Sequence, residues 1–510
     1  MDSFLHLLEG FSVALRPLNL LLAFGGVLVG TVVGMLPGIG PINAIAILIP
    51  IVFVAGVPPE SALILLVAIY YGSQYGNSIS TILLNVPGTT SSVVTAIDGY
   101  ALTKQGRAGP ALAMAAIASF VGGTLSIFGL VLFAPLLSEW ALRFGPAEYF
   151  ALMVLAFATL SSFAGGHLGK ALIATGLGLL LASVGLDPNS AVPRFTFGEL
   201  RLFDGLDFVV VTIGLFAVSE VLLLLEGTRR GEQARAVVGK VMVTLKELAA
   251  SGWSMVRSSV AGFLIGVLPG AGATIASFVT YSTEQRLVDR DGTFGKGDLR
   301  GVAVPEAANN SAVTGAMIPL LTLGIPGSAT TAVLLGALMG LNVTPGPLLI
   351  ERSPEVFWGL AASMYIGNAF LLLLNLPLVG VFVRVLALPR WFLIPGVAGM
   401  SFVAVYAVNA SVFDLWLMVG FGVLGYFLRK TGIPLAPVIL GLVLGPLMEK
   451  NLRRALALSG GEWDVLIASP ISVAIWVLTA GILAVPFVWT RMSRSRFPRG
   501  AEGEIPGGEG

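Results

Sequence analysis

Apolar runs approaching the length that crosses a bilayer, about 20 residues, alternate along this chain with short interruptions of Pro, Gly and small polar residues. Residues 18–36 form the first run, which stops at Pro37-Gly38, and residues 42–57 continue it up to Pro58-Pro59. Residues 61–71 are apolar and flow into a polar stretch, 72–78. Half-span pieces, 79–84 and 91–97, flank Pro87-Gly88, the pattern of a re-entrant hairpin or a discontinuous helix. Full-length runs follow at 111–137, 149–163, 171–186 and 208–225. A polar segment, 226–247, carries Arg229, Arg230, Arg235, Lys240 and Lys246 and is the natural joint between two halves. Beyond it come 256–268, the Pro269-Gly270 break, 273–281, a polar loop at 283–300, a span ending at Leu323, the Pro326-Gly327 break and 330–341. Apolar runs at 356–386, 392–408, 412–428, 435–447 and 465–489 complete the pattern. The prediction is an all-α polytopic membrane protein with roughly 11 to 13 transmembrane segments.

The interruptions recur in order. Gly34-Met-Leu-Pro-Gly-Ile-Gly40 returns as Gly266-Val-Leu-Pro-Gly-Ala-Gly272, about 232 residues later. Asn77, Ser78 and Thr81, followed by Val86-Pro-Gly-Thr-Thr90, return as Asn310, Ser311 and Thr314, followed by Ile325-Pro-Gly-Ser-Ala329, about 239 residues on. Gly109-Pro110 matches Gly346-Pro347 at a similar offset. The pattern reads as an internal duplication: 1–17 an amphipathic N-terminal segment, 18–226 a first membrane repeat, 227–250 a basic linker, 251–490 a second repeat and 491–510 a disordered tail. If Pro87-Gly88 turns back without crossing, about seven crossings separate the copies, an odd number that makes them inverted repeats. The positive-inside rule puts the linker and the arginine-bearing tail in the cytoplasm.

Backbone groups freed by a Pro-Gly break cannot face lipid, so four breaks imply a buried polar site. Pro37, Gly38, Gly40, Pro269, Gly270 and Gly272 are the candidate hinges. Hydroxyl residues follow the other two breaks, Pro87-Gly88 and Pro326-Gly327: Thr89, Thr90, Ser91 and Ser92 in one copy, Ser328, Thr330 and Thr331 in the other. They are good N-caps, and the N–H groups and dipole of a half-helix starting there suit a carboxylate. The simpler reading is that each break only kinks its helix. Asn77, Ser78, Thr81, Asn309, Asn310, Ser311 and Thr314 could bind carboxylate oxygens or a cation, or serve as hydrogen bonds between helices. Glu306 and Glu220 are ionisable residues in apolar surroundings and candidates for ion coupling; a carboxylate at the membrane edge is the alternative. Asp98, Lys104 and Arg107 read as a solvated loop. No Arg or Lys is expected deep inside the repeated core, which leaves an anion site to dipoles, amides and hydroxyls.

Composition narrows the class. Charged residues are 11% and hydrophobic residues 56% of 510, with a mean hydropathy of +0.91; a soluble domain carries about 25% charged residues. A net charge of +1 lacks the basic face that nucleic acid requires. Cysteine is absent, and His6 and His167 are the two histidines, leaving little scope for a histidine metal cluster. The N-terminus lacks the basic region and cleavage site of a signal peptide. Gly165-Gly-His-Leu-Gly-Lys170 is too short for a phosphate loop and is followed by Ala171 instead of Ser or Thr. No HExxH, GxSxG or aspartate-rich motif appears, so neither ATP-driven transport nor an enzyme is encoded in recognisable form.

Residues 34–41, the block 71–81 through 85–90, Asp98-Gly-Tyr100 and Pro305-Glu-Ala-Ala-Asn-Asn-Ser311 closely resemble the large membrane subunit of the tripartite tricarboxylate transporters, over about residues 18 to 450. The resemblance implies a bacterial inner-membrane permease driven by an ion gradient, with Na+ or H+ as coupling ion and no other cofactor. It implies two partners, a small membrane subunit of about four spans and a periplasmic solute-binding protein that delivers carboxylates such as citrate. The expected function is therefore import of tricarboxylates or related carboxylates by secondary transport. An anion channel or a non-transporting sensor subunit of the same fold is the alternative.

Overall fold

The computed structural model describes residues 2–36, 40–163, 168–226, 239–270, 272–385 and 390–496. Pro37-Gly38, Gly165 to His167, linker residues 227–238 and tail residues 497–510 lie outside the described residues. The chain runs α1 (Asp2–Ala14), α2 (Pro17–Met35), α3 (Gly40–Ala55), α4 (Pro59–Leu84), α5 (Val93–Lys104), α6 (Ala108–Ala141), α7 (Pro146–Phe163) and α8 (Leu168–Ala182). A two-residue ribbon, β1 (Gly185–Leu186) with β2 (Pro193–Arg194), precedes α9 (Phe208–Thr212), which continues through a π-helical turn, Ile213–Val218, into α10 (Ser219–Glu226). The second half contains α11 (Leu245–Val267), α12 (Gly272–Val288), α13 (Leu299–Leu323), α14 (Ala329–Gly340), α15 (Leu349–Arg352) and α16 (Pro354–Asn375). It ends with α17 (Val379–Val385), α18 (Arg390–Asn409), α19 (Val412–Lys430), α20 (Leu435–Leu458) and α21 (Pro470–Arg496). Among the described residues six helices are long and apolar enough to cross a membrane, and six shorter apolar helices accompany them, including α3, α8 and α14. The protein is an all-α polytopic membrane protein.

Two helices form the axis. In α4 the residues from Ser61 to Leu83 are almost all buried, and in α13 every residue except Arg300 is. They meet where the Tyr71 hydroxyl bonds Thr314 Oγ1. Each carries a companion packed backbone to backbone. A Cβ on Gly30 or Gly34 of α2 would lie 2.3 Å from Ile69 O and 2.2 Å from Ser73 O of α4. A Cβ on Gly262 or Gly266 of α11 would lie 2.5 Å from Ala308 O and 2.3 Å from Ala312 O of α13. Lipid supplies no hydrophobic drive between helices, so close approach at small residues carries the association.

Residues 18–36 and 42–57 read as successive pieces of one run, but here the chain doubles back between them. Leu36 has left the helical region (φ −84°, ψ 112°), and Gly40 resumes with φ +62°, a conformation glycine tolerates. The far ends meet: Arg16 at the start of α2 lies 3.7 Å from Glu60 in the first turn of α4, just after α3. In the second half, Arg257 of α11 holds Glu284 of α12 at 2.7 and 2.8 Å, so that hairpin also closes on itself.

The two faces are distinct. On the face where α10 ends and α11 begins, called here the linker face, Arg107 pairs with Glu247 and Lys430 with Glu226. On the opposite face the ribbon is tied to α20 by Arg194–Glu449 at 2.9 Å and Arg453–Asp187 at 2.7 Å. Backbone N–H groups of Ser190 and Asn189, assisted by Arg453, hold the Asp187 carboxyl well below the usual carboxylate range.

The solvated-loop expectation fails for Asp98, whose exposure is 0%, although Lys104 is exposed and Arg107 half-exposed. The Asp98 carboxylate accepts Tyr281 OH at 2.7 Å and the backbone N–H groups of Gly295, Gly297 and Asp298 at 2.9 Å each. Gly295 and Gly297 have positive φ, which turns their N–H groups inward as an anion nest. Asp98 thus pins the 289–298 loop of the second half to α5 of the first. An Asp98→Ala variant strands these four donors and is expected to cost about 3 kcal/mol or more, measured as a lowered midpoint of unfolding in detergent. A midpoint equal to wild type would refute the role.

Candidate substrate site

The four helices that begin after a break converge. After α4 ends at Asn85 in the left-handed region (φ 55°), a 3₁₀ turn at Thr90–Ser92 leads into α5. After α13 ends at Gly324 (φ 69°), Ser328 caps α14 reciprocally with Thr331. α3 and α12 begin at Gly40 and Gly272. Gly40, Pro87, Gly88, Thr89, Thr90, Gly270, Gly272 and Ser328 all line one cavity of about 770 Å³, together with Tyr70, Gln74, Thr274, Phe216 and Arg429. That volume lies within the range of small-molecule sites, about 300–1,000 Å³.

Hydroxyl contacts cross the cavity between the halves. Thr90 Oγ1 meets Thr274 Oγ1 at 2.7 Å, and Tyr70 OH lies 3.4 Å from Ser328 Oγ. Within the second half the breaks touch through Gly270 N–H donating to Gly327 O at 3.0 Å. In the first half a Cβ on Gly88 would fall 2.4 Å from Gly34 O. The π-helical turn that carries Phe216 belongs to a class of helix irregularity that recurs at functional sites.

The polar residues predicted from the sequence separate into layers. Asn77 stands behind the cavity wall, donating to Thr89 Oγ1 at 2.8 Å and Gln74 Oε1 at 3.1 Å. Ser78 and Thr81 donate to backbone oxygens of their own helix, and Thr81 also to Ser92 Oγ at 3.0 Å. Ser311 donates to Gly122 O at 2.8 Å, and Thr314 receives Ser126 Oγ at 2.7 Å; both sit in contacts between α13 and α6. Asn310 donates to Glu306 O at 3.1 Å. The Oδ1 atoms of Asn77 and Asn310 and both amide atoms of Asn309 are buried without a hydrogen-bond partner among the described residues. Pro326 and Gly327 form the turn that folds back on α13, a Cβ on Gly327 falling 2.8 Å from Ala316 Cβ.

The two candidate carboxylates differ. Glu306 lies inside α13 with 0% exposure and receives Thr95 Oγ1 at 2.7 Å and Ser119 Oγ at 3.2 Å; no basic side chain among the described residues pairs with it. Glu220 forms an ion pair with Arg429. The expectation of a core free of basic residues is therefore overturned: Arg429, in the last turn of α19, reaches the cavity because α19 packs beside the π-helical turn. The sequence signal was an unpaired Glu220 inside an apolar run, which calls for a partner.

A profile of the tripartite tricarboxylate transporter TctA family matches residues 20–440. The chain belongs to the TctA family. It is 42% identical over 496 residues to an uncharacterized 52.8 kDa protein in the TAR-I ttuC' 3' region of Agrobacterium vitis, covering 97% of this chain and 98% of that one. A second Agrobacterium vitis protein, from the TAR-II ttuC' 3' region, is 44% identical over 224 residues, which is 44% of this chain and 92% of the relative. No solved structure matches. Membership in the TctA family makes the chain a large membrane subunit of a tripartite tricarboxylate transporter, and implies a transporter in place of an enzyme.

The cavity's dependence on its glycine corners is testable. Gly88→Ala drives a methyl group into the Gly34 carbonyl, whereas Gly25→Ala meets nothing within 4 Å. Gly88→Ala is expected to lower tricarboxylate uptake at least about tenfold through displacement of the break, with normal membrane insertion, and Gly25→Ala to leave uptake unchanged. Equal uptake by both would detach the break from the site.

Proposed function

We propose that this TctA protein is a secondary carrier of di- and tricarboxylates, working with a small membrane subunit and a periplasmic binding protein in the bacterial inner membrane. One observation carries the reading: four helix N-termini and Arg429 surround one cavity. Helix N-termini present unsatisfied N–H groups and the positive end of the dipole, so they suit anions, and paired cradles suit a ligand with a carboxylate at either end.

We further infer that the halves are inverted repeats. The α2–α3 hairpin closes on the Arg16–Glu60 side, and the α11–α12 hairpin runs down to the linker face, where the loop that follows α12 meets Asp98. Phe53 near the end of α3 contacts Gly340 at the end of α14 on the opposite face, whereas α5 and α12 both run toward the linker face. Corresponding helices thus point in opposite directions, the arrangement of many secondary transporters. With the basic linker taken as cytoplasmic, the β-ribbon face is periplasmic.

Glu306 is the coupling candidate in this reading. A buried carboxylate with two hydroxyl donors and no cationic partner among the described residues invites a proton or Na+, and the orphaned Asn77, Asn309 and Asn310 oxygens on the axial helices are hard ligands of the kind Na+ prefers. The decisive experiment is labelled citrate uptake into proteoliposomes containing the whole three-part system under separate proton and sodium gradients. Saturable uptake driven by one gradient is expected. Unsaturable flux indifferent to both would replace the carrier by a channel, and its complete absence from an assembled complex would favour a sensor. Two variants refine it. Asn310→Ala is expected to abolish uptake with insertion intact. Glu306→Gln should stop gradient-driven accumulation while citrate exchange persists; undiminished accumulation would remove Glu306 from coupling.

A further inference from the structure

We infer that Arg429 is the cavity's cationic anchor for a substrate carboxylate and that Glu220 occupies it when no substrate is bound. The inference rests on the carrier reading and names the contact that selects charge. Arg429 lines the cavity alongside the hydroxyls and helix starts of the breaks. Its only hydrogen-bonding partner among the described residues is Glu220, reached through a single N–H of Nη1. A guanidinium has five N–H donors and matches a carboxylate in a two-pronged fork, so a single contact leaves most of this donor set unused. Its side chain keeps 24% exposure and that of Glu220 10%. The pair is thus neither an open surface contact nor sealed in the core.

The surroundings make the exchange balanced. Glu220 sits two residues beyond the π-helical turn that brings Phe216 to the cavity wall, and Arg429 sits beside the turn that leads through Pro434 into α20, also at the wall. Neighbouring charges are already engaged: Lys430 pairs with Glu226 and Lys170 donates to Thr431 O. Arg429 is the only basic side chain that lines the cavity among the described residues. Leaving an ion buried without a partner is costly. Glu220 therefore keeps the empty site satisfied, and an arriving carboxylate takes the guanidinium N–H groups that the single Glu220 contact leaves free, so that neither ion is stranded. Substrates bearing several carboxylates gain most, because one can bind Arg429 while another is held at the helix N-termini.

A double-mutant cycle separates this role from a purely structural one. Citrate binding to the purified chain in nanodiscs, and the KM and kcat for citrate uptake by the reconstituted three-part system, are compared for wild type, Arg429→Gln, Glu220→Gln, the double Glu220→Gln/Arg429→Gln and Arg429→Lys. Arg429→Gln is expected to weaken citrate binding about tenfold or more, and Glu220→Gln to tighten it several-fold by freeing the fork. Arg429→Lys should recover part of the loss. The double variant, in which no charge is stranded, should regain thermal stability but still bind citrate weakly. If the double variant restores wild-type binding, or if Arg429→Gln binds as wild type does, the inference falls and the carrier reading stands. If wild type neither binds nor moves citrate, tartrate or succinate, both fall.

Discussion

A broken helix inside a membrane leaves backbone N–H and C=O groups that lipid cannot satisfy, and this constraint organises the rest of the fold. The breaks at Pro87-Gly88, at Pro326-Gly327 and before Gly40 and Gly272 are gathered around one cavity, where hydroxyls, amides and water can serve those groups. Bringing them together requires α4 and α13 to be axial and almost fully enclosed. That in turn requires companions that approach them closely, which explains why α2 and α11 carry glycines at four-residue spacing against α4 and α13 backbone oxygens. The full-length apolar spans are the outer wall, and their lipid-facing surfaces remain exposed in residues such as Leu21, Phe133 and Trp416.

Three carboxylates in the interior show how environment assigns roles. Asp98 is saturated by three backbone N–H groups and a tyrosine hydroxyl, and its charge is consumed in joining two segments. Glu220 is answered by a single arginine at the cavity edge. Glu306 has two hydroxyls and, among the described residues, no cation. The degree of satisfaction falls along this series, and the capacity to take a new partner rises. A group already holding four good donors has nothing to gain from a ligand, whereas a carboxylate held only by neutral hydroxyls does.

The fold class and the positions of the breaks were legible because both depend on local composition: apolar runs and Pro-Gly interruptions. What eluded the sequence depends on where distant segments meet. Whether the chain continues or reverses between Leu36 and Gly40 is a tertiary fact, visible only in the Arg16–Glu60 contact. Asp98 looked solvated because its ligands, Gly295, Gly297 and Asp298, are about 200 residues away and are backbone groups with no signature beyond glycine content. Arg429 directly follows an apolar run, and its place at the cavity follows from α19 packing along the π-helical turn. The hydroxyl cluster divides for a similar reason. Thr89, Thr90 and Ser328 follow the breaks and reach the cavity, whereas Ser311 and Thr314 face α6, a partner no periodicity identifies.

The strengths of the contacts between halves are uneven, and the difference has mechanical consequences. Across the cavity the halves touch through hydroxyl pairs, Thr90–Thr274 and Tyr70–Ser328, each worth about 1 kcal/mol net, and at its edge through the Arg429–Glu220 ion pair. At the linker face they are joined by the Asp98 nest, whose bonds reach a full charge and are each roughly twice as strong. Within each half, backbone-to-backbone packing of α2 on α4 and of α11 on α13 leaves no slack for sliding. A rearrangement that exposes the cavity therefore meets least resistance across the hydroxyl pairs. α5, the 289–298 loop and the start of α13 have to travel as one unit, because separating them would strand the Asp98 carboxylate. Apart from the Arg429–Glu220 pair, the site is thus bounded by its weakest contacts.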